Sequence, residues 1–389
     1  MKAKKISFLA LCSGIMLVAC QQQDSNLTLS GLNPADYDTV INQKAVHLYT
    51  LTNQQGMEVC ITNFGGRIVS IVVPDRQGEL QDVVLGYDHI SRYADIEGSP
   101  SDFGAAIGRY ANRINQGQIT VNDSVIQLPQ NNYGHCLHGG PTGWQYQVYD
   151  AEQADSNTLK LTMHSPDGDN QFPGNVKATV TYTLTQQNEI DIQYEATTDR
   201  ETVINMTNHS YFNLNGDPSR PATDMVLYIN ADHFTPTDTT YMPTGEVRPV
   251  EGTPMDFRTP TVLSERIPQT DYDQIRSAGE GLDHNWCINT YTDGRGNDTQ
   301  VAASLFSPRT GIQLEVLTDE PGIQVYSGNF LGTSNVEGKR GIVYPKQAAV
   351  CLETQHYPDS PNHPEWASPW LKPGETYKSH CVYRFSIIK

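Results

Sequence analysis

The chain has 389 residues, 44 of them Asp or Glu against 26 Lys or Arg, which leaves a formal charge of −18 at pH 7. So acidic a surface excludes a nucleic-acid partner, whose phosphates need a basic face, and it excludes electrostatic adhesion to anionic lipid. It is compatible with a neutral or cationic small ligand.

In chain order, the first element is a leader. Met1-Lys2-Ala3-Lys4-Lys5 is basic, and residues 6–19 form an apolar run too short to cross a bilayer as a helix. The run ends in Leu17-Val18-Ala19-Cys20, which resembles a bacterial lipobox. Residues 1–19 therefore read as a lipoprotein-type signal peptide, with Cys20 as the lipidated first residue of the exported chain. Losing the three leader lysines takes the formal charge from −18 to −21, so membrane attachment is expected through Cys20 alone. Gln21, rather than Asp, after Cys20 points to the periplasm or outer membrane of a Gram-negative-type bacterium. Residues 20–40 are polar and lack apolar periodicity, and are expected to be a flexible tether. Five cysteines follow Cys20 at irregular spacing, without a CxxC pair, so no zinc ribbon or thioredoxin motif is predicted. Gly134-His135-Cys136-Leu137-His138 offers too few convergent ligands for a metal.

Residues 41–389 read as all-β. Over 176–185, Val176, Ala178, Val180, Tyr182 and Leu184 fall on one face and Lys177 with four threonines on the other. After Gln186-Gln187-Asn188, the residues Ile190, Ile192, Tyr194 and Ala196 alternate with acids and Gln193, which predicts a hairpin with one buried and one wet face. Further strands are predicted over 66–73, 118–127, 158–163, 201–206, 225–230, 313–317 and 382–388. Many short strands with Pro and Gly between them predict a large antiparallel β-sandwich. One domain is the favoured division and two smaller β-domains the alternative.

Polar groups gather at predicted strand ends. TNHSYFNLNG (207–216) places His209, whose ordinary pKa allows proton transfer near neutrality, beside small polar and aromatic residues. GRYANRINQG (108–117), HCLHGG (135–140), GLDHNW (281–286), PGIQVYSGNF (321–330) and CLETQHYPDSPNHPEW (351–366) have the same character. Planar hydrogen-bonders suit hydroxyls, and aromatic faces suit the C–H surface of a sugar ring. Taken without further context, each has a bland reading: Arg113 in a surface ion pair, Asp283 in a turn, Asn112 as a turn cap, Tyr211 and Phe212 as core or wall.

NHSYFNL, LHGG, the ANRI core and LETQ followed by PD, in this order, closely resemble the aldose 1-epimerases, the galactose mutarotase family, from about residue 45 to the C-terminus. The resemblance implies a large antiparallel β-sandwich that interconverts α and β anomers of free hexoses such as galactose or glucose, with no cofactor or metal. It implies Glu353 as general base at the C1 hydroxyl and His209 as general acid at the ring oxygen. It further implies His138 near that oxygen, and Asn112, Arg113, Asp283 and Gln324 as groups that bind a monosaccharide. His135, His284, His356 and His363 are expected to be structural or peripheral. The competing readings are another sugar epimerase on the same scaffold, such as one for hexose phosphates, a non-catalytic carbohydrate-binding lipoprotein, and a glycosidase built on Asp283 and Glu353.

Overall fold

The computed structural model describes residues 27–99, 101–333 and 335–389. The leader and Cys20 lie outside the described residues.

Three antiparallel sheets enclose the core. The largest has nine strands, in the order Asp150–Gln153, Thr158–Ser165, Val176–Leu184, Glu189–Thr198, Tyr377–Ile387, Ile312–Thr318, Val301–Phe306, Val226–Ile229 and Thr261–Val262. A six-stranded sheet runs Tyr211–Phe212, Val350–Gln355, Gly322–Tyr326, Asp283–Cys287, His233–Thr235 and Arg248–Pro249. A four-stranded sheet runs Leu48–Thr52, Glu58–Thr62, Arg67–Pro74 and Leu80–Asp82. It is stitched to the six-stranded one, because Leu85 N–H donates to Tyr211 O and Asn213 N–H to Val83 O. The α-helices among the described residues are short: Ile90–Ala94, Leu263–Arg266 and Asp273–Ser277.

The alternation in the sequence becomes the inner face of the large sheet. Val176, Ala178, Val180, Tyr182 and Leu184 are buried, and the last four pair with Ala196, Tyr194, Ile192 and Ile190 across the predicted hairpin. These side chains share one apolar cluster with Ile61 and Ile71 of the four-stranded sheet and with Ile323, Val325 and Leu352 of the six-stranded one. Removing water from that surface is the main stabilising term. Tyr182 shows how a polar tip is tolerated there. Its hydroxyl donates to Gly66 O at 2.7 Å, as a buried phenol requires.

Four expectations change in detail. The 118–127 run is two strands, Gln118–Val121 and Ser124–Gln127, joined by Asn122 and Asp123 at φ 47° and 61°. Two successive positive φ values make the primed turn that matches strand twist, and after glycine Asn and Asp tolerate it best. The 201–206 run is a strand only at Thr202–Val203, which pairs with Trp370–Leu371; the strand that carries the histidine is Thr207–His209. The 66–73 run is buried on both faces, since Arg67–Pro74 lies between the core and the segment around Tyr93 and Phe103. The tether does not extend to residue 40. Pro34–Tyr37 forms a turn of 3-10 helix, Tyr37 is fully buried, and its hydroxyl donates to Tyr87 O at 2.6 Å. An aromatic that can reach a cavity outweighs the polar composition around it.

Candidate active site

His209 ends a strand that is locked from both sides. Thr207–His209 pairs with Ala105–Ile107, Gly104 N–H donates to His209 O, and Asn208 Nδ2 donates to Gly104 O at 2.9 Å. Gly104 has φ 66°, and a Cβ there would lie 1.9 Å from Ile68 O, so only glycine permits this approach. Asn213 clamps the other side by donating to Ala348 O. Two asparagines of the TNHSYFNLNG segment thus fix the backbone that aims the histidine.

Glu353 comes from the second strand of the six-stranded sheet, Val350–Gln355. Gln324 is its direct partner across the ladder, and Asn285 is the partner of Gln324. Opposite residues share a face, so Glu353 and Gln324 project together. Gln324 Nε2 donates to Asp283 Oδ1 at 2.7 Å. Glu353 Oε1 stands 3.5 Å from His209 Nε2.

The third wall is the ANRI and LHGG pair of loops. Arg113–Ile114 pairs with Cys136–Leu137. Asn112 sits at φ 60° and His138 at φ 50°, and they are cross-tied: His138 N–H donates to Asn112 O, and Asn112 N–H donates to His138 Nδ1 at 3.1 Å. Gly139, at φ 77°, lets this loop close on Gly108, whose carbonyl would meet a Cβ at 2.2 Å. Arg113 is held by two hydrogen bonds to Asn132 Oδ1, at 3.1 and 3.0 Å, and its guanidinium lies 5.2 Å from the Tyr241 ring centre.

These walls enclose a cleft of about 420 Å³ lined by all seven candidates except Gln324, which sits just behind Asp283. That volume suits one pyranose ring. Buried Glu353 Oε2, Gln324 Oε1 and His209 Nδ1 have no hydrogen-bond partner among the described residues. Glu353 and His209, which line the cleft, thus each carry an unsatisfied polar atom with which a polyhydroxylated ligand would pair, and Gln324 carries one just beneath the lining. Tyr211 is both wall and core: it lines the cleft, stacks on His209 with ring centres 5.1 Å apart and belongs to a buried cluster with Phe103 and Tyr344, whereas Phe212 is core alone.

Burial sets the proton chemistry. It pushes the Glu353 carboxyl well up, and the charges of Asp283 and Asp102 add to this while Arg113 opposes it. It pushes the His209 imidazole down, with Asp102 opposing. His138 is pushed down to about 3, mainly by burial, so it stays neutral, and its bond from Asn112 places the proton on Nε2. Burial also raises Asp283, against the pull of Arg113.

The remaining histidines lie elsewhere. His135 accepts from Gln116 N–H and pairs with Thr240; His284 pairs with Gln274; His356 meets Glu320 at 2.7 Å; and His363 stacks on Trp366. Arg109 is spent on backbone carbonyls of Ser165, Pro173 and Gly174, so it offers nothing to a phosphate. Among the described residues, Asp102–His138–His209 and His209–Cys351–Glu353 bring donor atoms within 4.8 Å of one another; no metal is assigned to either group, whose members serve the proton chemistry of the cleft. Burial keeps the Cys351 thiol protonated, which weakens the second group. The sequence reading missed Asp102, Asn132, Tyr133, Tyr241, Tyr326 and Phe330 in the lining. Only Tyr326 and Phe330 had a signal, in the PGIQVYSGNF segment.

The sequence model of the aldose 1-epimerase family matches residues 47–384. The chain is 39% identical over 342 residues to the galactose mutarotase of Mus musculus, covering 88% of this chain and 94% of that protein. It is 37% identical to the aldose 1-epimerase of Escherichia coli (strain K12), covering 87% of this chain and 94% of that protein. Its fold is similar to the crystal structure of a GalM/aldose epimerase homologue from C. elegans, with a TM-score of 0.80 at 29% identity over 89% of this chain and all of that one.

Proposed function

The chain belongs to the aldose 1-epimerase family and is an isomerase that interconverts the α and β anomers of hexoses, and we propose that Glu353 and His209 carry this reaction on free galactose and glucose. The observation that supports the pair is its convergence to 3.5 Å at the base of the cleft. In a hemiacetal the C1 hydroxyl and the ring oxygen are bonded to the same carbon, so acid and base must meet at one point.

In the forward sense Glu353 takes the proton of the C1 hydroxyl while His209 gives its proton to the ring oxygen. The C1–O5 bond breaks and the C1 carbonyl forms. Rotation about C1–C2 presents the other carbonyl face. The O5 hydroxyl then attacks C1, returns its proton to His209, and O1 recovers its proton from Glu353. Protons balance over the cycle, and the oxidation state of C1 does not change. His138, neutral with its proton on Nε2, donates towards the ring oxygen. Arg113, Asn112, Asp283 and Gln324 hold the other hydroxyls; the hydrogen bond between Gln324 and Asp283 presents both as one unit.

We further propose that the chain is exported, cleaved before Cys20 and held to a membrane only by lipid on that cysteine, in the periplasm or outer membrane. The basic leader, the short apolar run and Cys20 support this. Radiolabelled palmitate should enter the wild-type chain and not Cys20→Ala. For the reaction, polarimetry on freshly dissolved α-galactose and α-glucose should show a faster approach to the same final rotation. Equal rates with enzyme and buffer would refute the free-hexose reading.

A further inference from the structure

Asp102 belongs to none of the motifs above, yet it lines the cleft with the catalytic candidates. One of its carboxylate oxygens and one ring nitrogen each of His138 and His209 lie within 4.8 Å of one another. Its position is built rather than incidental. The fully buried Arg67 donates to Ser101 O and Phe103 O, both at 3.0 Å, and pins the backbone on either side. Ala105 N–H donates to Asp102 O and starts the strand that pairs with His209.

A buried Glu–His pair has a weakness. Reaction requires one proton in the pair, on the histidine, with the carboxylate free. Low polarity disfavours both charges, so the histidine sheds its proton easily. Since the two groups are 3.5 Å apart, they titrate as a pair rather than singly.

We propose that Asp102 is a positioning residue whose negative charge keeps the shared proton within the His209–Glu353 pair. The inference rests on that pair being the acid and base of the reaction. The charged and titratable groups that face the pair come from every wall. Asp102 and Asp283 favour proton retention. Arg113 opposes it at Glu353, Arg67 opposes it at His209, His138 is neutral, and burial keeps Tyr211 and Cys351, which also face the pair, protonated and neutral. Asp102 is the negative charge that acts on both members, and its closeness to the His209 ring weights the effect towards the acid.

The test is kcat/KM of the full chain on α-galactose from about pH 5 to pH 9, for wild type, Asp102→Asn, Asp102→Glu and His209→Asn. Asparagine removes the charge and keeps the shape. The alkaline limb should move down by on the order of one pH unit in Asp102→Asn, with little change in KM on the plateau. Asp102→Glu should restore the limb. An unmoved limb in Asp102→Asn, or a raised KM with the limb in place, overturns the proposal; the second result would make Asp102 a sugar-binding group. If His209→Asn keeps wild-type activity, the acid–base reading itself fails and this inference falls with it. If His209→Asn is inactive while the Asp102→Asn limb stays put, only the role of Asp102 fails.

Discussion

The backbone N–H of Asn112 donates to Nδ1 of His138 at 3.1 Å, and that single bond decides what the histidine can do. A ring nitrogen that accepts has no proton, so the neutral imidazole carries its proton on Nε2. Burial, with His209 and Arg113 nearby, holds His138 down to about 3, so it never becomes a cation in the working range. It is a fixed hydrogen-bond donor.

A fixed donor predicts a loss of rate without a change in pH dependence. His138→Ala should lower kcat by roughly 10²- to 10³-fold, the usual cost of removing one preorganised donor. The limbs of the pH profile should stay where they are in wild type. A shift of either limb would mean that His138 titrates during turnover.

Glu353→Gln and His209→Asn should each lower kcat by about 10²- to 10⁴-fold. Because the two act on one hemiacetal, the double variant should be little worse than the poorer single one. Polarimetric rates for the three variants check this. Losses that multiply would show two independent contributions rather than one pair.

Asp283 is the first charge that raises Glu353 after burial itself. Removing that charge lets the carboxylate form at lower pH. The acid limb of kcat/KM should therefore move to lower pH in Asp283→Asn. KM for galactose should also rise, because the amide keeps an acceptor for Gln324 but loses the carboxylate's charge and its second acceptor oxygen. The same pH series in both proteins reads both effects.

Tyr37 gives a test of where the body of the protein begins. It is fully buried and bonded to Tyr87 O. Tyr37→Phe should cost about 1 kcal/mol, one hydrogen bond, and Tyr37→Ala about 3–5 kcal/mol, a buried aromatic. Denaturant titration measures both. Equal stability in all three would mean that the segment is a tether after all.

The strands were legible because a strand with one wet face writes its burial into the sequence at period two, as Val176 to Leu184 does. Arg67–Pro74 was legible as a strand but not in its setting, since burial on both faces gives no alternation. The motif residues of the cleft were legible only through the family resemblance; read alone, Asn112 is a turn cap and Asp283 a turn residue, although Asn112 and Gly139 do take positive φ in the loops that carry the site. Asp102 and Tyr241 were not legible. They reach the cleft from loops whose course is set by distant contacts, the Arg67 guanidinium in one case and the Arg113 guanidinium in the other. Neighbouring sequence carries no trace of such a contact.

The large sheet carries a pH-dependent staple. His380 lies between Asp298, 2.7 Å from Nδ1, and Asp191, 3.1 Å from Nε2. The hydrogen bond to Asp191 comes first among the causes that lift it to about 9. In the unfolded chain a histidine titrates near about 6.5. A group raised on folding contributes stability that is fully present below its unfolded pKa and is lost as pH rises through the folded one. Asp319, whose carboxyl accepts from the His380 backbone N–H, is pushed up to about 6 by burial, so it titrates around the acid edge of this window and its share of the slope is common to wild type and a His380 variant. Folding stability should thus fall between about pH 6.5 and pH 9, by on the order of 1–2 kcal/mol once screening at a site a quarter exposed is allowed for. His380→Gln should be less stable than wild type at neutral pH and should lose much less on going to pH 9. Parallel slopes for the two proteins would show that the two carboxylates do not hold a proton on His380.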